Sequence, residues 1–352
     1  IAIAQGRLTH FADVCLTRSK HLPLTLGVDI SLKHSRSAHP LIFALATHEA
    51  RWSRFSIQFL LAELFPSSED GNDNIILKDP CGGSLQEFSH NVYPWIIHSG
   101  SEILQDLETL RLRIVGHTTR QEQIASDLTV PEITKSLSPA PHLKELDLMV
   151  NVCDWVSEYE QGPQILLLEL QVLTSTPHLL PYLTCPALEK YTLVYVGDSY
   201  PRIILQDFVE RSACPLHTLT FMDPLGLLYP PNARECLIPR ITSLVVVSPA
   251  EMLLYIVPPK GGEEFLDVLP SLEHLELHDI KSFSFDLVFN FITFRWDLGA
   301  SNRTLKSVKL VRCFESIPEA LFNPEGGIDL AVIDEKWREL ARCVNEGLLL
   351  SR

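Results

Sequence analysis

The stretch "LEHLELHD" (272–279) places His274, Glu276 and His278 at alternate positions, so on a β-strand all three side chains leave from one face. Two imidazoles and a carboxylate on one face form a donor set that suits a divalent metal. The same alternation is what any strand with one wet face needs, because its solvent side must be polar. That second reading requires no ligand, and neither a metal site nor a cofactor is assigned to the chain.

Elsewhere the residues of catalysis are present but not arranged. Thirteen histidines and eight cysteines supply many of the pairs that a Ser/His/Asp or Cys/His hydrolase uses, and such pairs are common at this composition. No G-x-S-x-G elbow, H-E-x-x-H helix, P-loop or G-x-G-x-x-G fingerprint occurs. "PPKGGEEF" (258–265) has two glycines after a lysine, but not the G-x-x-x-x-G-K-[ST] order that wraps phosphates, so loop turning accounts for it better. Cys15, Cys81, Cys153, Cys185, Cys214, Cys236, Cys313 and Cys343 lie far apart with no C-x-x-C pair, which fits reduced, mostly buried thiols. No catalytic residue is assigned.

The elements that would position these residues show in the leucines. The order L-x-x-L-x-L, with apolar substitutes, recurs in "LETLRL" (107–112), "LKELDL" (143–148), "LEKYTL" (188–193), "LHTLTF" (216–221), "ITSLVV" (241–246), "LEHLEL" (272–277) and "LKSVKL" (305–310). "WSRFSI" (52–57) and "LQEFSH" (85–90) are weaker copies. Leu188 to Leu216 spans 28 residues and Leu216 to Ile241 spans 25, within the leucine-rich-repeat period of about 20 to 29. In each copy the last two apolar residues share one face of a short strand, and the first turns in from the preceding loop. A unit this small cannot bury that face alone, so units stack into an array with a continuous core. "PRIILQDFVERSA" (201–213) and "GGEEFLDVLP" (261–270) have near-helical apolar spacing between the strands. The expected fold is therefore α/β: an irregular leucine-rich-repeat solenoid with a parallel concave sheet backed by helices. One such solenoid would fill 1–352, with an N-terminal capping or linking region over 1–60, irregular repeats over 61–330, and a C-terminal capping helix over 331–352. Trp337, Leu340, Ala341, Val344 and Leu348 give that last helix its stripe. "SSEDGNDN" (67–74) and "GHTTRQEQIASD" (116–127) are expected as polar loops.

With 46% hydrophobic residues the chain can bury a large core, and its net charge of −15 repels phosphate backbones and anionic membranes overall. Nucleic acid and membrane are thus set aside as main partners. No apolar run approaches the roughly 20 residues of a spanning helix, and the first residues lack the pattern of a signal peptide. A cytoplasmic or nuclear protein is expected. The chain starts at Ile1 rather than Met, which fits a fragment.

Five further stretches, "LTRSKHLPLTLGV" (16–28), "THEARWSRFSI" (47–57), "PAPHLKELDL" (139–148), "TCPALEKYTL" (184–193) and "FVERSACPLHTLTF" (208–221), resemble in wording and order the leucine-rich F-box-like proteins expanded in mushroom-forming fungi. The resemblance runs over nearly the whole chain. It implies a Skp-type adaptor of a cullin–RING ubiquitin ligase bound through an upstream F-box, with the repeats holding a protein substrate. The chain departs from the pattern in lacking the leucine–proline opening of an F-box. Arg211 and Ser212 also have a purely structural reading, as the end of a helix and the cap of a turn.

In a solenoid, the strand positions between the buried leucines point outward along the concave face. The candidate partner-binding residues are Arg111 and Arg113, Glu145 and Asp147, Lys190 and Thr192, Thr218 and Thr220, Val245 and Val247, then His274, Glu276 and His278. Ser243, Ser307 and Lys309 join the same strip. Its sign changes from repeat to repeat, which suits one specific protein surface better than a single-sign polymer. The expected function is protein recognition without catalysis, as the substrate-binding part of an F-box-type ligase subunit. A leucine-rich-repeat scaffold with no ligase connection stays open, as does a hydrolase or metal-dependent enzyme on an α/β fold.

Overall fold

The computed structural model describes residues 2–31, 45, 51–60, 107–115, 137, 140–149, 164–194, 204–222, 240–247, 269–279, 285–297, 304–313, 317–322 and 327–352. Among the described residues the chain is α/β, with a large parallel sheet of eleven strands, a second sheet of two strands, and few helices behind them. It divides into two compact units, Ile1–Leu188 with Arg211–Cys214, and Glu189–Glu210 with Pro215–Arg352.

All seven L-x-x-L-x-L segments become strands that begin at their third residue. They are β3 (Thr109–Val115), β4 (Glu145–Met149), β8 (Lys190–Val194), β9 (Thr218–Met222), β10 (Ser243–Val247), β11 (His274–His278) and β12 (Ser307–Val311). The leading residues Leu107, Leu143, Leu188, Leu216, Ile241, Leu272 and Leu305 are all buried. "WSRFSI" falls in β2 (Trp52–Leu60), whereas "LQEFSH", both polar loops and most of "GGEEFLDVLP" lie outside the described residues.

The first unit contributes β1 (Leu24–Ser31), β2, β3, β4 and β6 (Val172–Ser175) to the large sheet, with β5 (Ile165–Leu166) and β7 (Leu183–Thr184) forming the small one. Register holds Leu146 between Leu110 and Leu173, all three buried. Helix α1 (Ala2–Arg18) is followed by Lys20 at φ 48°. The Arg51 guanidinium donates to the carbonyl oxygens of Leu16 (3.1 Å) and Leu22 (3.1 Å) and to Ser19 Oγ (2.6 Å), fixing the chain after that helix. A comparable bond set closes the other end of the unit. Arg211 donates to Leu180 and Leu183 oxygens, and Ser212 Oγ accepts the Cys185 N–H at 3.1 Å. Ala213 follows at φ 49°, a left-handed residue of the kind that ends helices. Arg211 and Ser212 thus do end a helix, as the structural reading expects. Their side chains are spent on the loop preceding the earlier strand.

The second unit contributes β8 to β12 and β13 (Leu349–Ser351). Leu219, Leu244, Leu275, Val308 and Leu350 form one buried column across β9 to β13, and Phe221, Val246, Leu277 and Leu310 a second. Each fully buried leucine contributes about 1.5–3 kcal/mol. The carbonyl just before each strand accepts two N–H groups from the next repeat. Glu189 O takes His217 and Thr218, His217 O takes Thr242 and Ser243, Thr242 O takes Glu273 and His274, and Glu273 O takes Lys306 and Ser307, all at 2.7–3.2 Å. Both lone pairs of one oxygen are used each time, so the step from strand to strand is fixed. In the first unit Glu108 O and Lys144 O do the same.

Behind the second unit's strands lie α2 (Ile204–Ser212), which buries Leu205 and Phe208 and exposes Gln206 and Glu210, then α3 (Phe285–Asp297) and α4 (Arg338–Asn345). Phe289 meets Trp337 edge to face at 5.3 Å, and Trp296 Nε1–H donates to Glu346 Oε2 at 2.9 Å. The C-terminal helix expected over 331–352 is shorter. Gly347, at φ 111°, turns the chain out of α4, and Leu350 enters the sheet on β13. Trp337, Leu340, Ala341, Val344 and Leu348 are all buried as the stripe requires.

Candidate functional site

The strand residues between the buried columns form a face of register rows. In the second unit Thr192, Thr220, Val245, Glu276 and Lys309 stand side by side on β8 to β12, and Lys190, Thr218, Ser243, His274 and Ser307 form the row before them. Lys190, His274 and Lys309 are exposed, and the others are half-buried. A third row sets Met222, Val247, His278 and Val311 in line, all half-buried. The middle of this face is therefore hydroxyl and methyl groups. Charge gathers toward β11 and β12.

There the charges pair across strands and along β11. Glu276 Oε1 accepts from Lys309 Nζ and from His278 Nε2, both at 2.8 Å. Glu273 Oε2 accepts from Lys306 Nζ at 2.7 Å, and Arg312 pairs with Asp279 at 2.8 Å. Half-burial works to raise the Glu276 carboxyl, but the bonds and charges of Lys309 and His278 outweigh it and hold it below the usual carboxylate value. Glu273 is held low chiefly by its bond from Lys306. His274 turns its Nδ1 to Ser307 Oγ at 2.8 Å. His274, Glu276 and His278 share one face as their spacing predicts; Glu276 and His278 bond each other, while His274 turns to Ser307. Among the described residues no group of three His, Cys, Asp or Glu gathers around a point that could hold a metal ion.

In the first unit Arg111 is exposed and its guanidinium donates to Glu145 Oε2 at 2.9 Å, across β3 and β4. Lys144 and Glu108 pair at 2.9 Å in the row before, which lowers the Glu108 carboxyl and raises the Lys144 amine. Arg113 lies on β3 beside Met149, and its side chain is outside the described residues. Asp147 corrects an expectation. It keeps the register of the outward row, between Arg111 and Thr174, but is only 6% exposed, and Thr174 only 8%. Asp147 is therefore buried, against the expectation that it stands open on the face.

The thiols behave as structural groups. Cys185, Cys214, Cys313 and Cys343 are buried and Cys15 is exposed, while Cys81, Cys153 and Cys236 lie outside the described residues. Burial, and then the neighbouring Cys214, push the Cys185 thiol up to about 12, so it stays protonated at neutral pH. Cys313 Sγ donates to Leu277 O at 3.1 Å. "LKSVKLVRC" (305–313) extends its repeat to the N/C position of the leucine-rich-repeat pattern, a signal for Cys313 that the six-residue motif leaves out. The pairing of Arg312 with Asp279 was likewise not foreseen. Both residues have positive φ (51° and 56°) at the ends of β12 and β11.

No helix among the described residues is long and apolar enough to cross a membrane. No protein-family model, curated protein or solved structure matches the chain.

Proposed function

We propose that the chain is a leucine-rich-repeat solenoid whose parallel sheet is the concave side, and that this face recognises a protein partner without catalysing a reaction. The fixed step between strands carries the reading. Because one carbonyl grips two N–H groups of the next repeat four times from Glu189 to Glu273, Thr192, Thr220, Val245 and Glu276 form a rigid row rather than a set of loose side chains. Rigid presentation lowers the ordering cost of binding. The row passes from hydroxyl to methyl to carboxylate in four strands, a mixed pattern that fixes register on a specific surface. Val245 and Val247 supply the apolar centre that interfaces use.

The resemblance in the motif order extends the proposal to the substrate-holding part of an F-box-type subunit of a cullin–RING ubiquitin ligase, in the cytoplasm or nucleus. The adaptor would be taken by an F-box upstream. Two captures test this. A chain lengthened with the codons preceding Ile1 is expected to co-purify with a Skp-type adaptor, and failure to do so removes the ligase part. Replacing Val245 with Asp is expected to abolish capture of the protein partner, and unchanged capture removes the face.

A further inference from the structure

The first 60 residues hold seven Lys and Arg against three Asp and Glu, leaving 22 against 41 for the rest of a chain whose net charge is −15. One arginine of that basic end stands on the sheet face of the first unit, beside another from β3. Arg54 on β2 is exposed, and among the described residues it forms no ion pair or hydrogen bond. Its charge is felt at Glu108, which Lys144 already holds at 2.9 Å. Arg54 pairs in register with Thr109, so Arg111, two residues on, is its diagonal neighbour on the same face, about 7–8 Å away at the backbone. One N–H of Arg111 goes to Glu145 on β4, and a guanidinium has about five to give.

Beside these arginines the floor is small. Ser56 is the register partner of Arg111, and Gly27 is the register partner of Ser56. A Cβ built on Gly27 would meet nothing within 4 Å. Two underused guanidinium groups next to the open space over Gly27 fit carboxylates carried on an extended backbone. The geometry points to an acidic, extended segment of the partner protein lying across β1, β2 and β3. This rests on the reading of the sheet face as a protein-recognition surface and names the chemistry recognised at its N-terminal strands. A nucleic acid fits less well, because a phosphate backbone needs continuous positive charge, while Glu145 stands beside Arg111 and the whole chain is acidic.

The test is fluorescence anisotropy of the 352-residue chain at low salt, with a labelled peptide of alternating Glu and Thr as probe. Its Gln-for-Glu counterpart and a labelled oligothymidylate are run beside it. The Glu peptide is expected to bind, the Gln peptide to bind at least about tenfold more weakly, and Arg54→Gln and Arg111→Gln each to cost about tenfold, as loss of a charge-assisted bond does. Arg240→Gln, on an exposed residue of the other unit, should change nothing. Equal binding of both peptides, undiminished binding by Arg54→Gln, or tighter arginine-dependent binding of the oligothymidylate overturns the acidic segment. Capture through Val245 is a separate readout, so failure here leaves the recognition reading to its own test.

Discussion

The guanidinium of Arg211 donates to the carbonyl oxygen of Leu180, 31 residues earlier in the chain, at 2.8 Å, and a second bond reaches Leu183 at 2.9 Å. Leu180 lies in a short 3-10 segment (Pro177–Tyr182) and Leu183 opens β7, so one side chain ties both carbonyls to the end of a helix. Arg211→Met removes both donors while keeping much of the side-chain volume, and is expected to cost about 2–3 kcal/mol in urea unfolding. Both bonds leave from one nitrogen, Nη2, which a lysine must bring to the same point on a shorter stem, so Arg211→Lys should recover only part of this.

Leu244 and Val245 are neighbours in sequence with opposite duties. Leu244 is fully buried between Leu219 and Leu275, while Val245 stands half-exposed on the face. Leu244→Ala should cost about 2–5 kcal/mol through lost burial and a cavity. Val245→Thr should shift stability by less than about 0.5 kcal/mol and still weaken partner capture. Thermal melts of the two variants beside a pull-down separate the duties.

Arg295 on α3 is 3% exposed, with Phe291 5.7 Å from its guanidinium carbon and no hydrogen bond or ion pair among the described residues. Burial pushes its pKa below the ordinary arginine value. A buried charge without a close carboxylate carries a desolvation cost that an apolar side chain avoids. Arg295→Met is expected to leave the melting temperature unchanged or raise it by a few degrees, a gain of up to about 2 kcal/mol. A clear loss of stability would show that the guanidinium is held by something stronger than the Phe291 ring.

The cross-strand pairs set a pH dependence. The folded Glu276 carboxyl lies below its ordinary value of 4.5, so the stability its partners give is fully present above that value. It is lost as pH falls through the lower folded value. The difference in melting temperature between the native chain and Lys309→Met should thus be constant above about pH 5 and shrink below about pH 4. A difference that grows on acidification would contradict the pairing.

The seven motif strands were legible because one physical need, two buried side chains two residues apart, writes itself directly into sequence. Strand β6 was not. In "LQVLTS" (170–175) the buried Ser175 stands where the last apolar residue belongs, so the motif does not mark a strand between Leu143 and Leu188. That gap holds two steps, of 27 and 18 residues, around Leu170. The end of α4 had its signal in Gly347, but helical spacing carried on through Leu348 because a buried residue looks alike at a helix end and a strand entry. Along the outward face, residue type placed Glu276 and Lys309 on their strands, and only register could bring them to 2.8 Å. The burial of Asp147 is a tertiary property, which no local pattern encodes.

The most direct test of the recognition face is site-specific photo-crosslinking in cells. A benzophenone amino acid is placed at position 245 on β10 and, separately, at position 210 on the exposed side of α2. Position 245 is expected to crosslink one discrete protein and position 210 none. Crosslinks from position 210 alone would put the partner on the helices and contradict the assignment of the sheet face.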